Sequence, residues 1–208
     1  MLPFPIISKT TIVPSENTII TLLKTGGTLI ESNINKTPTD FYTESYNAIQ
    51  FKPTSAKIQV GSSGIPSIWQ IGNSTNFIIE TYIKLSSTGT RILCGNLQNN
   101  GTGSWWMVIN NTFQDNSVVA LDGFSTTGSV QRFHFTNQAT ISPNTWHHIK
   151  LQRLGTNLTC EVDGVLIGTL TMTLGFMNQS NPFTVGDSTD NAYPFNGIID
   201  SFNITMSS

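Results

Sequence analysis

Charge is scarce in this sequence. Ten Lys and Arg residues and twelve Asp and Glu residues are spread over 208 positions, 11% of the chain, against about 25% in ordinary soluble domains. No basic run exceeds two residues and the formal net charge is −2, so the electrostatic footprint of a nucleic-acid binder is missing. Long apolar runs are lacking as well. Nothing approaches the roughly 18 residues that cross a bilayer as a helix, so no membrane insertion is expected. Cysteine is limited to Cys94 and Cys160, too few for a disulfide framework. Both fall in strand-like runs, where a free thiol acts as a small buried hydrophobe; one bridge between sheets is the alternative. Cys–His spacing of the zinc-site kind is absent. The first residues, "MLPFPIISKTTIVPSEN", have no basic leader, and prolines interrupt a very short apolar stretch. The expectation is a protein made without an export signal.

Ser, Thr, Asn and Gly take the place of charge, and 38% of residues are hydrophobic. That excludes disorder and, at this length, allows a core without staples. Helical periodicity is nowhere convincing. Short β-branched and aromatic runs alternate with Gly, Asn, Ser and Asp clusters, which is the all-β pattern. The runs begin with Ile19–Leu23 and end with Phe183–Val185 and Ile198–Ile204. The clearest is "FIIETYIKL", with Phe77, Ile79, Ile83 and Leu85 on one face and Glu80 and Lys84 on the other. Val118–Leu121 is read as ending at Asp122-Gly123. Some ten to twelve strands at this spacing predict a sandwich or jelly roll. Residues 1–40, richer in Pro and Thr, are expected to form an N-terminal extension or arm with the first strand or strands; residues 41–208 form one domain.

Two of the three histidines stand together in "NTWHHIKLQRLGTNLTCEVDGVLIGTL". Strand alternation places His147, Ile149, Leu151 and Arg153 on one side and Trp146, His148, Lys150 and Gln152 on the other. Adjacent histidines on one strand cannot share a metal through ordinary strand geometry, so a zinc site is not expected. Asp163-Gly164 is a two-residue hairpin turn, in which Asp163 tolerates the left-handed conformation. Glu161 and Asp163 match half of the Glu-x-Asp-x-x-Glu strand motif of sandwich-fold glucanases, but Leu166 stands in the third acidic position. The paired carboxylates that glycoside hydrolysis needs are therefore missing.

This hairpin resembles the Trp-His-His-Ile/Val…Val-Asp-Gly-Val hairpin of laminin-G-like, concanavalin A-like jelly-roll domains. "YNAIQFKPTSAKIQV" is similar to their first core hairpin. "NFIIETYIKL" is similar to their Phe-Thr-Ile-Glu-x-Trp-Val-Lys strand, with Tyr82 in the tryptophan position. "FTVGDSTDNAYPFNGIIDSFNI" resembles their closing signature. The resemblance implies an all-β, concanavalin A-like sandwich of two antiparallel sheets over about residues 41–206. It does not fix a function, because the fold hosts many.

The loop "VGDSTDNAYPFNG" follows the positions where relatives hold calcium; the resemblance offers Asp187, Asp190 and Asn191 as oxygen ligands. A solvated loop with no cofactor is the preferred reading. Trp105 and Trp106 must point to opposite faces of a strand, and an outward ring could stack on a sugar or a partner; Tyr193 and Phe195 share that role. Asn35, Asn73, Asn157 and Asn203 head Asn-x-Ser/Thr triplets, which a composition this rich in Asn, Ser and Thr produces by chance. Together these features lead to the expectation of a non-enzymatic structural or adhesion protein on a virion surface, phage capsid, tail or fibre, made in the host cytoplasm. Its partners would be other virion proteins, itself as a homo-oligomer, and cell-surface glycans. Leu2, Phe4, Ile6 and Ile7 would dock the arm on neighbouring subunits. The alternative is a free extracellular lectin, with or without calcium.

Overall fold

The computed structural model describes residues 27–30, 35–36, 49–51, 57–60, 64–65, 69–98, 103–112, 115–136, 141–188 and 192–207. Among them are fourteen strands. The first five are β1 (Gly27–Ile30), β2 (Asn35–Lys36), β3 (Ile49–Phe51), β4 (Lys57–Val60) and β5 (Asn76–Leu85). Then come β6 (Arg91–Gly95), β7 (Trp105–Asn111), β8 (Ser117–Phe124), β9 (Val130–Phe135) and β10 (Trp146–Leu154). The last four are β11 (Asn157–Val162), β12 (Val165–Thr171), β13 (Phe183–Val185) and β14 (Gly197–Ser207). They form two seven-stranded sheets, ordered β1-β4-β13-β6-β7-β8-β9 and β12-β11-β10-β5-β14-β3-β2. Every neighbouring pair is antiparallel. The molecule is the expected concanavalin A-like jelly-roll sandwich. Strands β1 and β2 lie within residues 1–40 and take an edge of each sheet. The run Ile19–Leu23 lies outside the described residues.

Alternation builds the core. Strand β5 buries every second residue from Phe77 to Leu85 and sits between β10 and β14. On β10, Ile149, Leu151 and Arg153 are buried, the face assigned to them from the sequence. Facing them across the sandwich are Leu93, Cys94, Trp105, Met107, Ile109, Val119 and Leu121. Burying each large side chain contributes about 1.5–3 kcal/mol. Aromatic pairs tie the centre together: Trp69 with Phe183 at 4.9 Å, Trp105 with Phe183 at 5.7 Å, Phe51 with Phe195 at 6.0 Å. Cys94 and Cys160 are buried and free. Burial pushes the Cys160 thiol up to about 12, so both strand thiols are inert.

Two Asp-Gly pairs behave differently. At Asp163-Gly164 both residues have positive φ, 54° and 76°, the geometry of a type I′ hairpin turn. At Asp122-Gly123 no turn occurs: β8 runs on to Phe124, which corrects the strand end expected at Leu121. Gly123 serves close approach instead, since a Cβ there would lie 2.3 Å from the Ser104 carbonyl oxygen and 2.6 Å from Phe176.

The topology sorts the connections into two ends. One end gathers the segments before β5, before β7, between β8 and β9, between β10 and β11, and after β12. The other gathers those between β5 and β6, β7 and β8, β9 and β10, β11 and β12, and β13 and β14.

Candidate functional site

The first of these ends holds an open-mouthed cleft of about 300 Å³. Its apolar lining comes from Ile65, Ile71, Trp105, Phe176 and Met177, and its polar lining from Gln70, Ser104, Thr126 and Asn178. Among the described residues that line it, none is charged. Trp105 is fully buried on the inner face of β7, and its indole N–H donates to the Trp69 carbonyl at 3.4 Å. Gln70 donates weakly to the Ile65 carbonyl at 3.4 Å. The exposed amides of Gln70 and Asn178 stand beside the apolar surface. Ser104 is committed: its Oγ accepts from the Gln179 N–H at 2.6 Å, and its N–H donates to Asn96 Oδ1 at 2.6 Å.

Backbone hydrogen bonds between distant segments shape this cleft before any ligand arrives. Phe176 N–H donates to Ile71 O at 2.7 Å, Met177 N–H to Phe124 O at 2.8 Å, and Gly64 N–H to Ser180 O at 2.9 Å. Asn73 Oδ1 accepts from the Gly175 N–H at 2.8 Å and from Thr126 Oγ1 at 3.1 Å. Gly175 passes so close to the neighbouring loop that a Cβ would stand 2.2 Å from Ile71 O. Behind the wall sits Arg153, 1% exposed. Its guanidinium donates to Gly155 O at 2.9 Å, Gly72 O at 3.0 Å, Met172 O at 3.2 Å and Asn73 O. Burial lowers its pKa from the ordinary value, yet four carbonyl dipoles converge on the cation.

Of the residues singled out from the sequence, few meet. Trp105 and Phe195 are fully buried, which removes both as surface contacts; Trp105 only backs the cleft, and Phe195 packs on Phe51. Trp106 lies half-buried on the outer face of the same strand, 6.3 Å from Phe124. With Tyr193 it packs on Ile92, Leu97, Val108 and Ala120. Asp187 is wholly buried and works as a turn clip. Its Oδ1 accepts from the Ser188 N–H at 2.7 Å and the Tyr193 N–H at 3.1 Å. Its Oδ2 has no hydrogen-bond partner. Burial raises its pKa to about 6, opposed by these hydrogen bonds and by Lys57. Asp190, Asn191, Leu2, Phe4, Ile6 and Ile7 lie outside the described residues. Among the described residues no group of three His, Cys, Asp or Glu side chains could hold a metal.

The two adjacent histidines diverge as expected. His148 Nε2 pairs with Glu80 at 2.8 Å, and its ring stacks on Tyr82. His147 turns instead to Asp163 and Ser142. Sequence reasoning missed the third histidine. His134 bridges Asp115 at 2.7 Å and Asp122 at 2.8 Å on the outer face of β8 and β9. Burial raises the Asp122 pKa against the pull of His134. At Asp115 the same burial effect is outweighed by hydrogen bonds to His134 and Ser117, and the pKa falls. The cleft residues Gln70, Phe176 and Asn178 were missed as well. A glycine beside an aromatic residue in "LGFMNQS" is the only local signal.

A laminin G-type family model, described as the concanavalin A-like lectin/glucanases superfamily, matches residues 52–207. No curated protein matches the chain. Among solved structures, the binding domain of Paraclostridial Mosquitocidal Protein 1 superposes with a TM-score of 0.57 at 14% identity; the match covers 87% of this chain and 48% of that one. The botulinum neurotoxin serotype D binding domain gives 0.57 at 15%, over 85% of this chain and 42% of the other. Domain 4 of AbnA, a GH43 extracellular arabinanase from Geobacillus stearothermophilus in complex with arabinotriose, gives 0.55 at 17%, over 86% and 75%. This chain thus spans less than half of the two toxin binding domains.

Proposed function

The chain belongs to the concanavalin A-like lectin/glucanases superfamily, and from that premise we propose that it is a recognition domain that binds a neutral saccharide in the end cleft. The carrying observation is the cleft itself: prebuilt, backed by apolar and aromatic side chains, rimmed by amides and hydroxyls, and with no charged side chain among the described residues that line it. A sugar ring offers an apolar face and a hydroxyl edge, the complement of such a surface. Its volume lies at the lower end of the range for small-molecule sites, which suits one or two sugar units. The AbnA domain, solved with a neutral oligosaccharide, supports the architecture; the ligand class rests on this chain's own residues.

The low charged content, 11% of the chain, supports display on an exterior, and we place the domain on a virion, with Leu2, Phe4, Ile6 and Ile7 anchoring it to neighbouring subunits. A chain lacking residues 1–15 should then fold but fail to join the particle; full incorporation would remove the anchor. Binding itself is tested on a glycan array followed by titration calorimetry. Gln70→Ala or Asn178→Ala each should weaken binding by about 3–10-fold, the worth of one hydrogen bond of about 0.5–1.5 kcal/mol. Loss on Trp106→Ala with no change in these two variants would move the site to the outer face. An array without neutral-glycan hits would refute the reading.

A further inference from the structure

At the opposite end of the sandwich, we infer that Ser142 is a base-activated nucleophile, held by His147 and Asp163, that accepts the acyl group of a small carboxylic ester. Ser142 Oγ lies 3.0 Å from His147 Nε2, and His147 Nδ1 lies 2.8 Å from Asp163 Oδ2. The other carboxylate oxygen, Asp163 Oδ1, accepts the His148 N–H at 2.8 Å, and the Asp163 N–H donates to the His148 carbonyl at 2.8 Å. The carboxylate is thus fixed from two sides by the type I′ turn that carries it. An ionised carboxylate only accepts hydrogen bonds, so Nδ1 carries the proton. In the neutral imidazole Nε2 is then an acceptor, and the Ser142 O–H points its proton at it. This is the nucleophile–base–orienter order of a serine hydrolase, recognised by roles and geometry rather than by sequence position.

The other two histidines show that the arrangement is not generic. His134 meets a carboxylate at each ring nitrogen, so it has no nitrogen left for a hydroxyl. His148 binds Glu80 and stacks on Tyr82. Only His147 pairs a carboxylate at Nδ1 with a hydroxyl at Nε2. The imidazole joins the hairpin clip through Asp163, whereas the exposed Ser142 hydroxyl on its far nitrogen adds nothing to that clip. The site is also accessible. Ser142 is exposed, while the His147 side chain is 13% exposed and that of Asp163 48%. Pro143 and the left-handed Asn144, φ 61°, whose N–H donates to Leu85 O at 2.7 Å, hold the serine's segment against β5.

The reaction balances without a cofactor. Ser142 Oγ attacks the carbonyl carbon as its proton passes to His147 Nε2. The tetrahedral adduct expels the alcohol, which takes the proton back from His147, and leaves an acyl ester on Ser142. Water, deprotonated by the same nitrogen, cleaves that ester and restores the serine. Asp163 is a positioning residue that fixes the tautomer. The inference is independent of saccharide binding in the cleft.

The test incubates the full chain with a fluorophosphonate and with p-nitrophenyl acetate and locates adducts by intact-mass and peptide mass spectrometry. One adduct is expected, on Ser142. Ser142→Ala, which deletes only an exposed hydroxyl, should abolish it. His147→Gln should slow labelling about a hundredfold, the worth of a general base. Asp163→Asn should cut labelling and, in ¹⁵N spectra of the imidazole, move the His147 proton off Nδ1; an unchanged tautomer would overturn the role of Asp163. No adduct on Ser142 in the folded chain, or equal labelling of His147→Gln and the parent, would overturn the inference.

Discussion

Arg153 offers the sharpest test of how the cleft is built. It is a buried cation with no carboxylate beside it among the contacts described, and four main-chain carbonyls take its hydrogens. Arg153→Met keeps the bulk and removes every donor. Asn73 and Gly155 are exposed residues, so their carbonyls regain water. Gly72 is half-buried and its carbonyl keeps the Thr75 N–H at 3.3 Å, while Met172 is buried, so one acceptor stays unsatisfied at about 1–3 kcal/mol, and the weakened bonds at the other three add to that. Relief of the cation's own desolvation offsets part of this. The net expectation is a loss of about 1–3 kcal/mol, or roughly 2–12 °C in melting temperature for a domain of this size. Urea unfolding followed by tryptophan fluorescence measures it. Because the freed loop forms the cleft wall at Ile71 and Gly72, ligand binding should weaken further than stability alone explains. Arg153→Lys should recover little, since one ammonium cannot reach carbonyls spread around a planar fork. A loss below about 1 kcal/mol, or full recovery by lysine, would refute the reasoning.

Gly175→Ala sets a methyl against Ile71 O and Gly72. It should cost about 1–3 kcal/mol and close part of the cleft, seen as a lower melting temperature together with weaker glycan binding. Asp187, buried with its pKa raised to about 6, holds its proton more tightly folded than unfolded, where the value is about 3.9. Its contribution to stability is therefore full below about pH 4 and is lost as the pH rises through 6. Asp187→Asn keeps the Oδ1 contacts, so melting curves from pH 4 to 7 should show the variant gaining on the parent; parallel curves would exclude the effect.

Alternation made most of the fold legible. A strand buried on one face must repeat apolar residues every second position, and "FIIETYIKL" and "WHHIKLQR" did so. Asp-Gly was ambiguous because the same pair serves a turn at 163–164 and a close approach at 122–123. The difference lies in Phe176, more than fifty residues away, which presses on Gly123 and leaves room for hydrogen alone. The same distance problem hid the cleft. Gln70, Trp105, Thr126 and Phe176 come from four segments with no shared spacing, joined only when main-chain bonds lock Ile71 to Phe176 and Phe124 to Met177.

The sequence by itself determined the two-sheet sandwich, the inward faces of β5 and β10 and the divergence of the two adjacent histidines. These follow from local geometry, in which period and turn chemistry act over a few residues. Only the tertiary structure decided which polar groups meet. It buried Phe195 against Phe51, left Trp105 only backing the cleft, brought His134 between Asp115 and Asp122, and set Ser142, His147 and Asp163 in line. Such meetings depend on strand order and register, which one chain of letters does not carry.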